Sequence, residues 1–393
     1  MKERAPVKDW ATDFDILDPA WVENPYPIWE GLRATCPVAH TERYFGAYLP
    51  MRYADIREIA YDTDNFSSQN VVLREKNPPE RGGGPPITSD PPRHRVARMA
   101  LLPPFAPDAV AKLAPVTREY CHTLIDAFAG RGGCDGGADF AQHIPVKVLA
   151  TMLGVPDSDG DRFRGWVHGI FQAGITDDSA MQAAVAGMTE YFRGHVAARR
   201  KHPTDDLISG LLAARYEDGR PFTDNHVLGS LRVLMLGGID TTWCSIGSAL
   251  LHLATHDEDR RRLVREPKLL PAAIEEFLRA YAPVTMAREI VADTTVGGCT
   301  YKKGETVLMA YPAANRDPAV FPDAGKVIID RKDNKHMAFG IGIHRCIGIN
   351  LARMELTVAV DTFLQRLPEF RLSGPVAYST GTVRGPVRVP LSF

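Results

Sequence analysis

One of the six cysteines in this chain sits among neighbours that suggest chemistry. Cys346 stands in KHMAFGIGIHRCIGINLARME, two residues after His344, next to Arg345, with Gly340 and Gly342 before it and Gly348 after it. A lone cysteine reads most simply as a buried, inert thiol. Here the amphipathic run INLARMELTVAVDTFLQRL begins directly after the sulfur, so the unpaired N–H groups and positive end of a helix face it. A helix start or a metal favours the thiolate. The glycines remove side chains that would hold off a flat ligand or another backbone. The pattern suits a thiolate presented to a metal.

Three other clusters carry paired chemistry. Glu276 and Arg279, in EFLR, stand at i and i+3, which on a solvated helix face is worth only ~0.2–0.5 kcal/mol. In LGGIDTT, from Leu236 to Thr242, Gly237 and Gly238 lie mid-helix, at ~1 kcal/mol each relative to alanine. A close helix crossing would ask for such glycines, but the acid and alcohol that follow, Asp240 and Thr241, also have the makings of a proton relay. In DPPRHRVAR, His94 and Arg98 share a helical face, which makes either a basic solvent surface or a grip on one anion. The other cysteines (Cys36, Cys121, Cys134, Cys244 and Cys299) show no zinc-type spacing.

The run Phe339-Gly340-x-Gly342-x-His344-Arg345-Cys346-x-Gly348 resembles the haem-binding loop of the cytochrome P450 family, and the other three clusters fall where that family has its own motifs. The likeness runs from NPYPIWEGLR to VRGPVRVPLSF and is nearest the soluble bacterial branch. It implies haem b (iron protoporphyrin IX) with Cys346 as axial iron ligand, in a loop shaped by Phe339, Gly340 and Gly348. His94, Arg98, Arg288 and His344 would hold the propionates. Asp240 would bring protons from solvent to Thr241. Glu276 and Arg279, completed by Arg331 in VIIDR, would form a buried triad bracing the chain ahead of the loop. Arg93, Val327 and Ile328 depart from the family's usual Glu, Phe and Asp.

By the same resemblance, the substrate pocket is expected at Val71, Phe171, Val233, Leu236, Gly237, Val284, Met286 and Val383. Thr382 and Arg74 lie nearby, and Arg74 is a candidate anchor for a carboxylate. The implied reaction inserts one oxygen atom of O2 into a small to medium hydrophobic molecule, by hydroxylation or oxidative dealkylation. Electrons from NAD(P)H would arrive through a ferredoxin or flavodoxin and its reductase, docking near Arg95, Arg345 and Arg353. A peroxide-driven peroxygenase is one alternative, but such relatives generally lose the acid–alcohol pair that is intact here. A non-catalytic haem sensor is another, and it would not need that pair.

The elements that must position these residues are mostly helical. Apolar spacing predicts a helix from Val110 to Phe128, and others near 140–153, 159–172, 179–201 and 205–215. The longest is expected from a Thr223 cap to His256. Gly-punctuated alternation places small β regions at about 36–50, 284–312 and 370–393. The expected fold is mostly α with small β sheets. The resemblance sharpens this to a triangular helical prism, with haem between the long central helix and the helix after the cysteine loop. A single haem domain over residues 1–393, with no fused reductase, is expected. Net charge of −2 argues against nucleic acid as the partner. The N-terminal MKERAPVKDWATDFD lacks the apolar core of a secretory signal. No apolar run in the sequence approaches the ~20 residues of a membrane span. A cytoplasmic monomer without membrane insertion is the expectation.

Overall fold

The computed structural model describes residues 4–73, 84–175 and 177–393. Its central feature is the long apolar stretch, which forms two helices instead of the expected one. Asp224–Gly238 is capped as predicted by Thr223, whose side chain accepts from the His226 N–H at 3.3 Å. Ile239, at φ −93° and ψ −69°, interrupts it, and Asp240–Thr255 follows. Apolar periodicity continues across the break, so spacing alone does not reveal it. The 224–255 stretch is long and apolar enough to cross a membrane, but 67% of its most apolar window is buried inside the protein. It is the core helix of the fold.

Two apolar clusters flank this split helix. In one, Ile246, Leu250 and Leu253 meet Ile274 and Phe277 of the Leu270–Ala280 helix and Leu356 and Phe363 of the Ile349–Arg366 helix. In the other, Leu231 and Met235 meet Leu149, Phe163, Met188 and Phe192. These come from helices His143–Leu153, Gly160–Phe171 and Asp178–Lys201. The expected Val110–Phe128 helix is also divided, into Pro107–Ala111 and Ala114–Asp126. Pro115 explains the restart, because proline fits a helix only in its first turn.

The main sheet has five strands. Val38–Thr41 pairs antiparallel with Ala47–Pro50, which runs parallel to Thr306–Ala310. Thr285–Ile290 lies antiparallel to that strand and carries Phe66–Ser67 on its other side. The expected 36–50 and 284–312 regions therefore form one sheet, with Met286 and Arg288 on an inner strand. In the C-terminal region, Pro390–Ser392 pairs with Arg371–Leu372 and with Gly133–Asp135. That last strand lies far upstream and was not expected.

Candidate active site

The cysteine loop is closed by a backbone hydrogen bond from the Cys346 N–H to the Phe339 carbonyl, 2.8 Å. Gly340 and Gly342 have φ of 66° and 74°, the left-handed region that side chains resist. A Cβ on Gly342 would also lie 2.7 Å from the Ala60 carbonyl oxygen, so this glycine admits a second backbone. Gly348 caps the Ile349–Arg366 helix, which starts directly behind the sulfur as predicted. Cys346 is solvent-accessible, yet protein packs around it closely enough that burial pushes its thiol pKa up, against the Gly348 N–H, Arg98 and Arg345, which pull it down. An accessible atom so enclosed lines an internal cleft, not the outer surface.

Basic groups gather around that cleft. His94 and Arg288 are both 4% exposed, and the His94 and His344 rings meet edge to face at 4.4 Å. The His344 Nε2 lies 2.9 Å from Ser68 Oγ. Arg288 donates from Nη1 to the Ala287 carbonyl. His94 Nε2 is buried with no partner. Burial first, then Arg288, His94 and Arg98, drives the His344 pKa down to about 3. Among the described residues no carboxylate pairs with Arg98 or Arg288. Buried cations of this kind are costly unless an anion compensates them.

The expected triad is present. The Glu276 carboxylate accepts from Arg279 Nε and Nη2, both 2.8 Å, from Arg331 Nε at 2.9 Å, and from the Ile328 N–H at 2.8 Å. Asn334 Nδ2 adds a bond of 3.1 Å. Arg279 spends its remaining donors on the carbonyls of Asn315, Ala324 and Lys326. The ion pair is sealed from solvent and locks the chain that leads to the cysteine loop.

Asp240 opens the second half of the split helix, 4% exposed. Burial alone raises its pKa to about 7. Thr241 Oγ1 donates to the Gly237 carbonyl at 2.7 Å, and the space a Gly237 side chain would enter is open.

The family model for Cytochrome P450 matches residues 176–373. The mycinamicin IV hydroxylase/epoxidase of Micromonospora griseorubida is 36% identical over 372 residues, covering 92% of this chain and 93% of that protein. This chain belongs to the cytochrome P450 family. A second relative, the vitamin D(3) 25-hydroxylase of Pseudonocardia autotrophica, is 32% identical over 389 residues and 96% of each chain. The solved structure of the mixed-function P450 MycG with mycinamicin IV superposes with a TM-score of 0.82 at 34% identity, covering 93% of this chain and 96% of that one. The protein is thus a haem-dependent monooxygenase of bacterial type, an oxidoreductase using O2. The family generally acts on small molecules and uses redox partners.

The residues present in this P450 fit haem. An accessible, enclosed cysteine faces a helix start, and the cations Arg98 and Arg288, with the buried, unpartnered His94 Nε2, suit an anionic group. Two supports were missed in the sequence. Asp90 accepts from Ser67 Oγ at 2.6 Å and from the Ser68 N–H at 2.8 Å, which holds Ser68 against His344. Glu275 accepts from both Arg353, at 2.6 and 2.7 Å, and His336, at 3.0 Å. Arg353 lies 5.2 Å over the Phe339 ring. Its ion pair with Glu275 ties it to the cysteine loop. Arg95 and Arg345 are exposed.

Contacts link several expected pocket residues. Val284 and Val383 form an isolated antiparallel bridge, and the Thr285 N–H donates to Thr382 at 2.9 Å. A Cβ on Gly381 would meet Ile175 and the Phe171 carbonyl, so the C-terminal turn reaches the end of the Gly160–Phe171 helix. Val71 accepts from the Ala287 N–H next to Met286. Val233 packs against Gly84. Leu236 is half-buried and Gly237 exposed on the same helix. Arg74 lies outside the described residues. A further buried acid escaped notice: Glu355, nine residues after Cys346, is 1% exposed with one carboxyl oxygen unpaired, and burial lifts its pKa well above the usual range.

Proposed function

We propose that this P450 hydroxylates, or oxidatively dealkylates, a small to medium hydrophobic substrate, with Asp240 and Thr241 as its proton-delivery pair. The observation that carries this reading is the buried Asp240, with a pKa of about 7, directly before Thr241 in the chain. Bound haem supplies the activation of O2 and the oxygen-transfer chemistry. Cys346 would hold the haem iron through its thiolate, with Phe339, Gly340 and Gly348 setting its loop. His94, Arg98, Arg288 and His344 hold the propionate side of the ligand. Glu276, Arg279 and Arg331 brace the approach to the loop.

A group titrating near neutrality both takes a proton from solvent and gives it up, which is the property a relay needs. Asp240 passes the proton to Thr241 Oγ1, and Gly237 leaves room for the receiving side of the transfer. Val71, Phe171, Val233, Leu236, Gly237, Val284, Met286 and Val383 line the substrate cleft, and their apolar character supports a hydrophobic substrate. A ferredoxin or flavodoxin, reduced from NAD(P)H by its reductase, docks on the Arg95 and Arg345 side. The working unit is one haem domain over 1–393, a cytoplasmic monomer.

The test is reconstitution with a surrogate ferredoxin, its reductase and NADH. Aromatic acids, terpenoids and fatty acids are first screened for Soret shifts. NADH consumption matched by oxygenated product is expected. Substrate-independent consumption alone, or turnover only with added peroxide, would sink the reading.

A further inference from the structure

A cavity of about 270 Å³ lies where the first helices meet the C-terminal half of Asp240–Thr255 and the C-terminal turn. None of the residues assigned above to haem, proton delivery or substrate lines it. Its size falls just below the roughly 300–1,000 Å³ of ordinary small-molecule sites. Tyr26, Trp29 and Tyr378 supply aromatic walls. The Arg384 guanidinium lies 4.5 Å over the Tyr378 ring and 5.9 Å over Tyr26.

A polar chain ends at the same cavity. His252, buried in the wall, sits with Nε2 2.9 Å from the Asp259 carboxylate and Nδ1 2.8 Å from the Tyr281 hydroxyl. Burial lowers the His252 pKa, so the ring is neutral. Asp259 can only accept, which puts the imidazole proton on Nε2 and leaves Nδ1 as an acceptor. Tyr281 therefore spends its own proton on His252, and its oxygen can only accept from a ligand. Among the described residues no carboxylate lines the cavity. Among the described residues Arg384 is the one charged wall; its Nε and one Nη2 N–H are held by the Val22 and Glu23 carbonyls, each at 2.7 Å, and its plane faces the Tyr378 and Tyr26 rings. An anionic ligand would meet the acceptor-only Tyr281 oxygen, whereas the buried, unpartnered Trp29 Nε1 is a donor open to a neutral ligand as well. A flat ring, by contrast, finds aromatic faces and a guanidinium plane.

We propose that this cavity binds a small, uncharged, planar aromatic molecule bearing one O–H or N–H donor, of the phenol or indole kind. The donor bonds the Tyr281 oxygen, and the ring packs among Tyr26, Trp29 and Tyr378. The site is separate from the monooxygenase cleft, and the cofactor-loaded enzyme tests it directly. The haem cleft is first blocked with 4-phenylimidazole, whose ligation the Soret band reports throughout. Calorimetric titration then uses 2-naphthol as probe and 2-methoxynaphthalene, the same ring without the donor, as comparison.

One equivalent of 2-naphthol is expected to bind, with the methoxy compound about tenfold weaker, the scale of one hydrogen bond. Tyr281→Phe is expected to erase that difference. Thr255→Trp, at an exposed position on the rim, is expected to abolish binding of both without relying on a core change. Absence of binding to the azole-blocked enzyme, equal affinity for the two compounds, or unchanged binding to the Thr255→Trp protein would each overturn the proposal. Since azole ligation reads haem separately, such a failure leaves the monooxygenase assignment untouched.

Discussion

Replacing Asp240 with asparagine is expected to make the protein more stable and less active at once. The carboxyl is buried, and burial lifts its pKa from 3.8 to about 7. Ionising it in the folded state therefore costs about 4 kcal/mol relative to the unfolded chain. The folded pKa lies above the unfolded one, so the penalty is absent below about pH 4, grows between about pH 4 and 7, and is constant above. Over the accessible range from pH 5 to 8, the wild-type protein loses about 2.5 kcal/mol that Asp240→Asn keeps. Cys244, which feels the acid, is itself held as a thiol by burial and offers no compensating charge.

Urea midpoints for both proteins at pH 5, 6.5 and 8 measure the difference directly, with an unchanged m-value as the check on the comparison. Turnover in the reconstituted system should fall by about a hundredfold or more, because the amide cannot carry the proton. Identical pH dependence of stability in the two proteins would show that Asp240 does not titrate in this window. A stabilised variant with full turnover would remove it from the relay.

Other substitutions probe the remaining parts. Thr241→Ala should keep the ferrous–CO band at its thiolate position while diverting NADH to hydrogen peroxide; unchanged coupling would exclude Thr241 from proton delivery. Glu276→Gln leaves the fully buried Arg279 without its anion and should cost about 3–5 kcal/mol, read as a lower urea midpoint and reduced haem incorporation. Gly342→Ala must adopt a left-handed φ, worth about 1–2 kcal/mol, and press on the Ala60 carbonyl; a variant with the wild-type midpoint would contradict the close approach. Charge reversal at Arg95 and Arg345 together should slow haem reduction by a ferredoxin at low salt, with the difference fading as salt screens it. An equal rate at low salt would place docking elsewhere.

What the sequence made legible depended on how far apart the cooperating residues lie. The cysteine loop, its glycines and the helix behind it are neighbours along the chain, so their chemistry could be argued from spacing. The same holds for the Thr223 cap and for Asp240 beside Thr241. Glu276 and Arg279 illustrate the boundary. Their spacing alone suggested a weak surface pair, and burial became predictable only through the family pattern that added Arg331.

Beyond that range, local reasoning failed for physical reasons. Arg353 is half-exposed and sits in a polar-looking helix turn, so nothing in its spacing announces a structural partner. A carboxylate 78 positions upstream claims it. The break at Ile239 left no mark in the apolar periodicity, because the residue is itself fully buried and continues the pattern. Val284 and Val383 meet across nearly a hundred residues of chain, and Asp259, His252 and Tyr281 form a line only once three helices pack. The reaction type is therefore written in short motifs that a sequence displays openly. The shape of whatever the cleft and the aromatic cavity accept is written in contacts that exist only after folding, so assays of chemically defined ligands, more than further motif reading, will decide what this P450 acts on.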